Sequence, residues 1–414
     1  MVVVGGGVIG LCCAWHLHQR GVEVEVLEAG EYGGGASGAN AGWIVPSLST
    51  PLAAPGMIGT GIRHALDPHG ALVIRPGFDL AWMRWLWRFR SAAGARPYEH
   101  GVRALMYLNA RTMELFDQLA AGGVEFEMHA AGVLAVARSR AHLSWFTQLF
   151  RELEALGYEG DLTELSPAEI RAAEPAVSDV AAAGALTSVD RHVQPGSLTA
   201  GLVADLRRRG VVLREHVPVQ GLHRCRGGWN VTTGEGAVST QAVVVALGAC
   251  VNDLLRHVGL TLPVVGGKGY SVDLRGAGAL PAHALYLMEP KIGLSPYANG
   301  VLRVAGIFEL PGKDETPLPR RTRQLVEQSL PFLRDWRPNP DGWECRGLAG
   351  LRPCTPDSLP FLGPVPDAEG LYVATGHGML GVTLAPATGE AIAEMIVKRA
   401  VPEAVLPFQL AGRL

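Results

Sequence analysis

Residues 1–30 read MVVVGGGVIGLCCAWHLHQRGVEVEVLEAG, and this stretch decides the fold. Its apolar start raises two alternatives, a secretory signal and a membrane span. A secretory signal places a positively charged segment ahead of its apolar core, whereas this apolar run begins at Met1. A span needs about 20 apolar residues. Polar side chains interrupt the run at His16, His18, Gln19 and Arg20, so neither alternative is favoured.

A glycine pattern indicates a nucleotide site instead. The apolar triplet at residues 2–4 is followed by the G-x-G-x-x-G glycines Gly5, Gly7 and Gly10. A helix-compatible run then ends at Gly21, and valine alternates with glutamate over residues 22–26, which indicates a strand. Glu28 closes that strand, 18 positions after Gly10, where its carboxylate would bind both ribose hydroxyls and repel a 2′-phosphate. Together these parts predict a dinucleotide-binding unit.

Each glycine of this unit has a physical role. Gly5 allows the tight turn, Gly7 lets the backbone approach a pyrophosphate, and Gly10 lets the helix pack closely on the strand. Val8 and Ile9, at the start of the helix, are expected to contact the cofactor together with these three glycines. The helix N-terminus presents free N–H groups and a positive dipole end to the phosphates.

Composition bounds the class of protein. A chain of 414 residues suggests two domains, and 48% hydrophobic with 18% charged residues indicates a globular protein. The net charge of −3 gives no reason to expect nucleic-acid binding. The sequence shows no stretch that we expect to span a bilayer. The 6 cysteines form no C-x-x-C pair, so no metal site is predicted and reduced thiols in a cytosolic protein are expected.

The segment after Glu28 favours FAD over NAD. It reads AGEYGGGASGANAGWIVPS over residues 29–47 and consists mostly of glycine and alanine. Small side chains let the backbone approach a flat ligand closely, which suits an isoalloxazine ring with its ribityl chain. A flexible glycine loop is the alternative. The residues that we expect to contact the cofactor here are Ala29, Ser37, Asn40, Ala41 and Gly42.

The pattern GGGVIG…LEAG…ASGANAG resembles the FAD-dependent D-amino acid oxidase and dehydrogenase superfamily, which includes glycine oxidase and sarcosine oxidase. GANAGWIVPSLSTPLAAPG at 38–56 and LVIRPGFDLAWMRWLWRF at 72–89 are most similar to bacterial D-amino acid dehydrogenase catalytic chains. The resemblance runs from the first strand to near the C-terminus. It implies non-covalent FAD, because Cys354 is offset from the position of the thioether cysteine in some members.

The expected fold is α/β (α+β overall), with a Rossmann-like FAD-binding domain and a second, antiparallel-sheet substrate domain. A helix pattern follows Pro195 and a buried strand ends at Gly248, which the family places beside the cofactor. The resemblance also implies that Val217 contacts the adenosine. The expected division assigns residues 1–50, 191–265 and 344–414 to the FAD-binding domain and residues 51–190 and 266–343 to the substrate domain.

One arginine is the leading candidate for substrate binding. The stretch GLAGLRPCTPDSLPFLGP at 347–364 is dense in glycine and proline and contains Arg352. A guanidinium binds a carboxylate through two parallel hydrogen bonds. The family arginine in G-L-R-P-x-T-P-D holds the substrate carboxylate, and every fixed position of that motif matches here. A surface salt bridge is the alternative role.

The C-terminal stretch at 371–399 reads as strand, glycine turn and helix. Its helix N-terminus would face the pyrimidine end of the flavin and stabilise the negative charge that reduction places there. His377 lines the ring or is satisfied by backbone within the turn. The predicted cofactor contacts of this stretch are Gly376, Gly378, Met379, Leu380, Gly381, Val382 and Thr383.

The strand VGGKGYSVDL at 265–274 supplies two weaker candidates. The resemblance places this strand against the active site, where Tyr270 would help to seat the substrate and Lys268 near the ring would raise the flavin potential. Both have structural alternatives.

The tract around Trp82, Trp85 and Trp87 also carries arginines. A half-buried helix is the simpler interpretation, and a membrane-surface helix is the alternative.

These features predict a bacterial FAD-dependent enzyme of amino acid catabolism. It would dehydrogenate D-amino acids or cyclic imino acids such as D-proline or hydroxy-D-proline by hydride transfer to flavin N5. The alternatives are a glycine or sarcosine-type oxidase and a FAD-carrying subunit of a multi-chain dehydrogenase. A quinone or the respiratory chain is the expected electron acceptor. The expected location is cytoplasmic, with peripheral association at the inner face of the membrane as an open alternative.

Overall fold

The computed structural model describes residues 1–57, 59, 70–74, 79–338 and 346–414. Residues 75–78, in the middle of the tract at 72–89, and Cys345 lie outside the described residues.

The N-terminal unit builds the centre of a six-stranded sheet. Its order is β10 (Val212–Arg214), β2 (Glu25–Leu27), β1 (Val2–Val4), β14 (Val243–Val245), β23 (Leu371–Thr375) and β22 (Phe361–Pro364). All neighbours run parallel except β22 and β23. The valine triplets of β1 and β14 are fully buried, as is typical of a parallel sheet covered on both faces.

Successive valines of the central strands enter two different cores. Val3 and Val244 pack in a cluster with residues of several helices, three of which directly precede or follow a strand of this sheet along the chain, whereas Val2 and Val243 pack in a cluster with Trp229 of a small sheet. This alternation follows from the two-residue period of a strand. These three helices are α1 (Val8–Gln19), α7 (Pro195–Arg208) and α10 (Gly381–Lys398). The small sheet comprises β11 (Val219–Cys225), β12 (Gly228–Thr233) and β13 (Gly236–Thr240).

A larger sheet forms the second half of the molecule. Its order is β21 (Arg346–Cys354), β15 (Val265–Leu274), β19 (Leu302–Leu310), β18 (Ile292–Pro296), β17 (Ala284–Leu287), β6 (Val133–Ala137), β8 (Ala183–Thr187) and β7 (Thr163–Leu165), and β4 (Leu72–Ile74) also pairs with β19. Most pairs are antiparallel, and β17–β6 and β19–β4 are parallel. The α/β fold class with a Rossmann-like unit and a second, mainly antiparallel sheet is confirmed.

Seven further α-helices and five short strands lie among the described residues. Helices flank the larger sheet and connect it to the six-stranded sheet, and short strands pair as β3–β9–β5 and as β16–β20. The helices are α2 (Leu80–Ala92), α3 (Ala95–Asn109), α4 (Thr112–Ala121), α5 (Arg140–Ala155), α6 (Pro167–Ala173), α8 (Val251–Leu255) and α9 (Pro319–Ser329). The short strands are β3 (Trp43–Ile44), β5 (Met128–His129), β9 (Arg191–Val193), β16 (Gly276–Ala277) and β20 (Arg337–Pro338).

Two segments lie outside the halves to which the sequence assigned them. β21 falls within the expected FAD-binding segment 344–414, yet it pairs along its length with β15 of the larger sheet. Helices α3 and α4 fall within the expected substrate segment 51–190, yet their buried residues Leu105 and Phe116 belong to the core that contains α1. The sequence pattern identifies the apolar face of each element but not the partner that covers it.

The expectation that no stretch is apolar enough to span a bilayer needs correction. The stretch Gly378–Lys398, which contains α10, meets the length and composition of a span, and 67% of its apolar window is buried inside the protein. α10 packs against α1, and a Cβ atom on Gly389 would come within 2.5 Å of the Cys12 carbonyl oxygen. Such close burial is typical of a core helix.

The α1–β1 junction generates a test of the fold. A Cβ atom on Gly10 would overlap the carbonyl oxygen of Gly5, a backbone atom that cannot move independently. We expect Gly10→Ala to lower the free energy of unfolding by about 1–3 kcal/mol, measured by urea denaturation with and without added FAD. The control is Gly234→Ala, because the nearest atom to a Cβ there is 3.7 Å away on the Gln220 side chain. Equal stability of the two variants would contradict the packing role of Gly10.

Candidate functional site

The turn between β1 and α1 has the geometry that the glycine pattern predicts. Gly5 has φ +109°, and a Cβ atom there would come within 2.5 Å of the Ala246 carbonyl oxygen. Gly7 is the N-cap of α1 and supplies no side-chain cap. The Val8 N–H donates to Ser37 Oγ at 3.0 Å, and Ile9 is half-buried beside the helical core. The first turn therefore offers backbone donors to an anion, with the Ser37 hydroxyl next to them.

Glu28 lies at the end of β2, directly beside this turn. Its two carboxylate oxygens accept the N–H groups of Gly6 at 2.6 Å and Gly30 at 2.8 Å. These bonds fix the carboxylate at the edge of the cradle while leaving lone pairs for ribose hydroxyls. Ala29 is exposed at the same edge. Val217, predicted to contact adenosine, has a buried side chain and donates its N–H to the Glu28 carbonyl oxygen at 2.8 Å.

The small-residue loop after β2 is a defined structure. Asn40 Oδ1 accepts the N–H of Gly42 at 2.7 Å, and the Ala41 carbonyl oxygen accepts the Ser295 hydroxyl at 2.8 Å. Gly42 has φ +82°, and a Cβ atom there would overlap the Val193 carbonyl oxygen. The alternative of a flexible glycine loop is therefore not favoured by the geometry.

The opposite end of the cradle is made by two glycine turns. Gly248 has φ +54° and its carbonyl oxygen accepts the Thr375 hydroxyl at 2.8 Å. Gly376 and Gly378 also have positive φ and lead into α10, which has no side-chain cap at its start. The remaining predicted contacts are the exposed Met379, the half-buried Leu380 and Gly381, and the buried Val382 and Thr383. Thr383 Oγ1 donates to the Trp43 carbonyl oxygen at 3.0 Å, so this helix start is tied to the loop.

Arg352 lies on β21, on the face of the larger sheet that meets the loop. Among the described residues its guanidinium has no hydrogen bond or ion pair. The guanidinium carbon lies 5.4 Å from the centre of the Phe308 ring. Burial lowers the pKa of Arg352 below its ordinary value, which begins so far above neutrality that the group stays charged. Two residues further on, Cys354 bridges to His377, which places Arg352 near the turn that starts α10.

The neighbours of Arg352 are structural rather than reactive. His377 is buried, and its Nε2 forms a hydrogen bond with Thr388 Oγ1 at 2.9 Å. Burial lowers the pKa of His377 to about 3. His377 is therefore neutral and fixed within the turn. Burial raises the pKa of the Cys354 thiol to about 12, so it is protonated and a poor nucleophile. This state of Cys354 fits non-covalent FAD.

Tyr270 does not lie where the sequence analysis expected it. Along β15, Gly269 faces Arg352, because a Cβ atom on Gly269 would overlap that guanidinium. Adjacent residues of a strand face opposite sides, and Tyr270 is fully buried in the core on the other face, with its hydroxyl 3.0 Å from Glu309 Oε2. Lys268 shares that side and donates to Asp314 at 2.8 Å. β15 therefore turns Tyr270 and Lys268 away from the face that carries Arg352, which does not favour the predicted substrate contact of Tyr270 or the flavin contact of Lys268.

Several residues of this face were missed. Ser271 and Ser295 donate to the carbonyl oxygens of Ala39 and Ala41, and buried Arg303 donates to two further carbonyls of the loop. Once Gly269 is known to face Arg352, the two-residue period of the strand would have placed Ser271 on the same side. The sequence offers no comparable signal for Arg303.

An apolar cluster adjoins Arg352. Phe308 and Cys354 pack with Trp82 and Trp85 of α2, whose rings stack at 5.3 Å. Trp85 Nε1 donates to the Cys354 carbonyl oxygen at 3.3 Å. α2 is therefore half-buried, as the simpler interpretation of this tract predicted. Trp82 and Trp85 are buried, whereas Trp87 is 68% exposed.

The residues present fit FAD. The glycine turn and the uncapped start of α1 would hold the pyrophosphate, Glu28 the ribose, and the loop at 36–42 with the start of α10 the flavin. The described residues contain no group of three or more histidine, cysteine, aspartate or glutamate side chains that would hold a metal ion.

Comparisons with known proteins agree with this geometry. The family described as DAO, FAD dependent oxidoreductase, matches residues 1–395. A D-amino acid dehydrogenase of Paramagnetospirillum magneticum is 33% identical over 427 residues, which cover 96% of this chain and 95% of that protein. One of Xylella fastidiosa is also 33% identical, over 96% of this chain and 92% of that protein. The crystal structure of glycine oxidase from Geobacillus kaustophilus matches with a TM-score of 0.77 and 23% identity, over 100% of this chain and 98% of that chain. The chain therefore belongs to the DAO family of FAD-dependent oxidoreductases.

Proposed function

We propose that this enzyme is a FAD-dependent dehydrogenase of D-amino acids or of cyclic imino acids such as D-proline or hydroxy-D-proline. The observation that carries the proposal is the guanidinium of Arg352, which has no hydrogen bond or ion pair among the described residues and lies on the sheet face that meets the predicted flavin loop. Two relatives at 33% identity named D-amino acid dehydrogenase support the D-configuration and the reaction class.

Arg352 would bind the substrate carboxylate through two parallel hydrogen bonds. The Phe308 ring supports the guanidinium from one side, and Gly269 leaves the space that the guanidinium occupies. FAD, when bound, supplies the hydride acceptor at flavin N5. The protein then contributes placement: with the carboxylate fixed at Arg352, the substrate α-carbon has a restricted set of positions beside the cofactor.

The apolar cluster beside Arg352 supports a substrate with an uncharged, compact side chain. Among the described residues, this cluster consists of Leu52, Cys354 and aromatic and aliphatic side chains of α2, β4, β15 and β19. A charged substrate side chain would lose its hydration there and would find no partner among these side chains. D-proline and small apolar D-amino acids satisfy this condition.

We infer that the electron acceptor is a quinone. We also infer that the protein is located in the cytoplasm and that α2 binds the membrane surface. The side chains of Leu80, Met83 and Trp87 are 66%, 46% and 68% exposed and share one helix face by their spacing. Arg84 and Arg88 lie next to them and have no ion pair among the described residues. An exposed apolar stripe flanked by arginines suits an anionic bilayer surface.

The role of Arg352 can be tested by two substitutions. We expect Arg352→Ala to lower kcat/KM for the reactive amino acid by roughly 10²–10⁴-fold, because two charge-assisted hydrogen bonds are lost. Gly269→Ala should act in the same direction but less strongly, since its Cβ displaces the end of the Arg352 side chain rather than backbone. Both variants should retain FAD, measured by visible absorption alongside steady-state kinetics with a dye acceptor.

The control is Arg334→Ala, an exposed arginine on the same half of the molecule that pairs with Asp179. It should leave kcat/KM unchanged. Unchanged turnover in Arg352→Ala, with FAD bound, would remove Arg352 from the substrate site.

The reaction class is tested by anaerobic titration of the purified, FAD-loaded protein with D- and L-amino acids, glycine, sarcosine, D-proline and cis-4-hydroxy-D-proline. We expect the flavin absorption to bleach with a D-configured substrate. Slow reoxidation on admitting air, with fast reoxidation by a soluble quinone, would identify a dehydrogenase. Fast reoxidation by air would identify an oxidase, and bleaching without turnover on quinone would identify a subunit that needs a partner chain.

The membrane surface is tested with vesicles that contain an anionic phospholipid. We expect Trp87→Ala to weaken vesicle binding about tenfold, because it removes a large apolar side chain from the contact. Trp145→Ala is the matched control, since Trp145 is 49% exposed on a different helix, α5. Equal binding of both variants and the unaltered protein, measured by co-sedimentation, would rule out this face of α2.

A further inference from the structure

Arg303 joins the larger sheet to the predicted flavin loop. It lies on β19 with 4% exposure and forms a bidentate pair with Asp273, at 2.7 Å and 2.8 Å. Its remaining nitrogen, Nη1, donates to the carbonyl oxygens of Gly38 at 2.7 Å and Asn40 at 2.8 Å. One buried guanidinium therefore fixes two peptide groups of the loop.

The N–H groups of these two peptides, those of Ala39 and Ala41, are oriented away from the sheet. A trans peptide is planar and its N–H points opposite to its C=O, so the N–H groups of Ala39 and Ala41 point away from the sheet. Among the described residues neither of these N–H groups has a hydrogen-bond partner. The intervening N–H of Asn40 and that of Gly42 are both engaged within the loop, by Ser37 and by the Asn40 side chain.

The remaining carbonyls of the loop also face the sheet. Ser271 donates to the Ala39 carbonyl oxygen at 3.0 Å. Ser295 at 2.8 Å and Tyr297 at 3.2 Å donate to that of Ala41. Sheet side chains thus hydrogen-bond to each carbonyl oxygen from Gly38 to Ala41. Arg303 binds those of Gly38 and Asn40, which belong to the two peptide groups whose N–H has no partner among the described residues.

We propose that Arg303 is a positioning residue that sets the affinity and the redox potential of the flavin by directing the N–H groups of Ala39 and Ala41 toward it. The inference rests on the prediction that this loop lines FAD and is independent of the identity of the substrate. Oriented donors stabilise a ligand more when it carries more negative charge. They therefore favour the reduced flavin over the oxidised flavin.

The test uses Arg303→Lys in the full-length, FAD-loaded protein. Lysine keeps the charge but lacks the planar fork that reaches Asp273 and both carbonyls together. We expect reduced flavin to lose about tenfold in binding relative to oxidised flavin, which lowers the midpoint potential by about 30 mV for a two-electron couple. We also expect weaker binding of oxidised FAD. Anaerobic titration with a chemical reductant and a reference dye measures the potential without any amino acid.

Arg321→Lys is the matched control. Arg321 is also buried on this half of the molecule, in a pair with Glu309 at 3.0 Å on the opposite face of the sheet. It should lose stability as Arg303→Lys does while keeping the flavin potential and FAD affinity of the unaltered protein. If Arg303→Lys behaves in the same way, the positioning role is overturned.

A milder pair keeps the proposal testable if Arg303→Lys does not fold. Ser271→Ala removes one carbonyl contact and should lower the potential by less than Arg303→Lys, whereas Ser329→Ala removes a buried hydroxyl on α9 and should not change it. Equal potentials for both serine variants would count against the proposal. A shifted potential in a protein that no amino acid reduces would support the positioning role and refute the proposed dehydrogenase.

Discussion

The close contact between the loop at residues 36–43 and one face of the larger sheet determines the geometry of the whole site. A Cβ atom on Gly350 would come within 2.7 Å of the Ala36 Cα atom, and one on Gly293 within 2.7 Å of the Trp43 ring. At Gly350 both surfaces carry small residues, so the two backbones approach closely, whereas at Gly293 the missing side chain leaves room for the Trp43 ring. This contact fixes the position of the predicted flavin loop relative to Arg352, which stands two residues after Gly350.

A loop held this closely must satisfy its backbone N–H and C=O groups without the regular hydrogen bonds of a helix or a sheet. Here the sheet supplies the donors from side chains: Ser271, Ser295 and Arg303 take the carbonyls that point toward it. On the N-terminal side, Ser37 accepts the Val8 N–H and links the same loop to the start of α1. The loop is thereby positioned by both halves of the molecule, so a disturbance of either half is expected to reach the cofactor.

The sequence predicted the parts of the site that depend on local structure. Gly5, Gly10 and Glu28 lie where the strand–turn–helix pattern placed them, because that pattern is completed within thirty residues of chain. Arg352 could be singled out only through its motif. That no described carboxylate pairs with it depends on which side chains meet across β15, β19 and β21, and no local pattern contains that information.

Two expectations that the geometry does not favour share one cause. Tyr270 was placed in the site because its strand was placed there, but the two-residue period of a strand gives two faces and no indication of which one meets the flavin loop. Gly269 settles the choice only after its contact with Arg352 is seen. The pairing of 346–354 with the larger sheet could not be predicted for a similar reason, because hydrogen-bond partners in a sheet are set by contacts that are distant in sequence.

Three guanidiniums of the larger sheet and its neighbouring helix differ in how their buried charge is compensated, and this difference supports the proposed role of Arg352. Arg303 and Arg321 are buried with carboxylates at 2.7 Å and 3.0 Å. In each pair, the attraction to the carboxylate offsets the free-energy cost of removing the guanidinium from water. Arg352 is desolvated enough for its pKa to be lowered, yet no described carboxylate compensates it. An uncompensated charge of this kind costs free energy in the unliganded protein. A carboxylate ligand that reaches Arg352 would relieve that cost as Asp273 and Glu309 do for the other two arginines, which supports the proposal that the substrate carboxylate binds there.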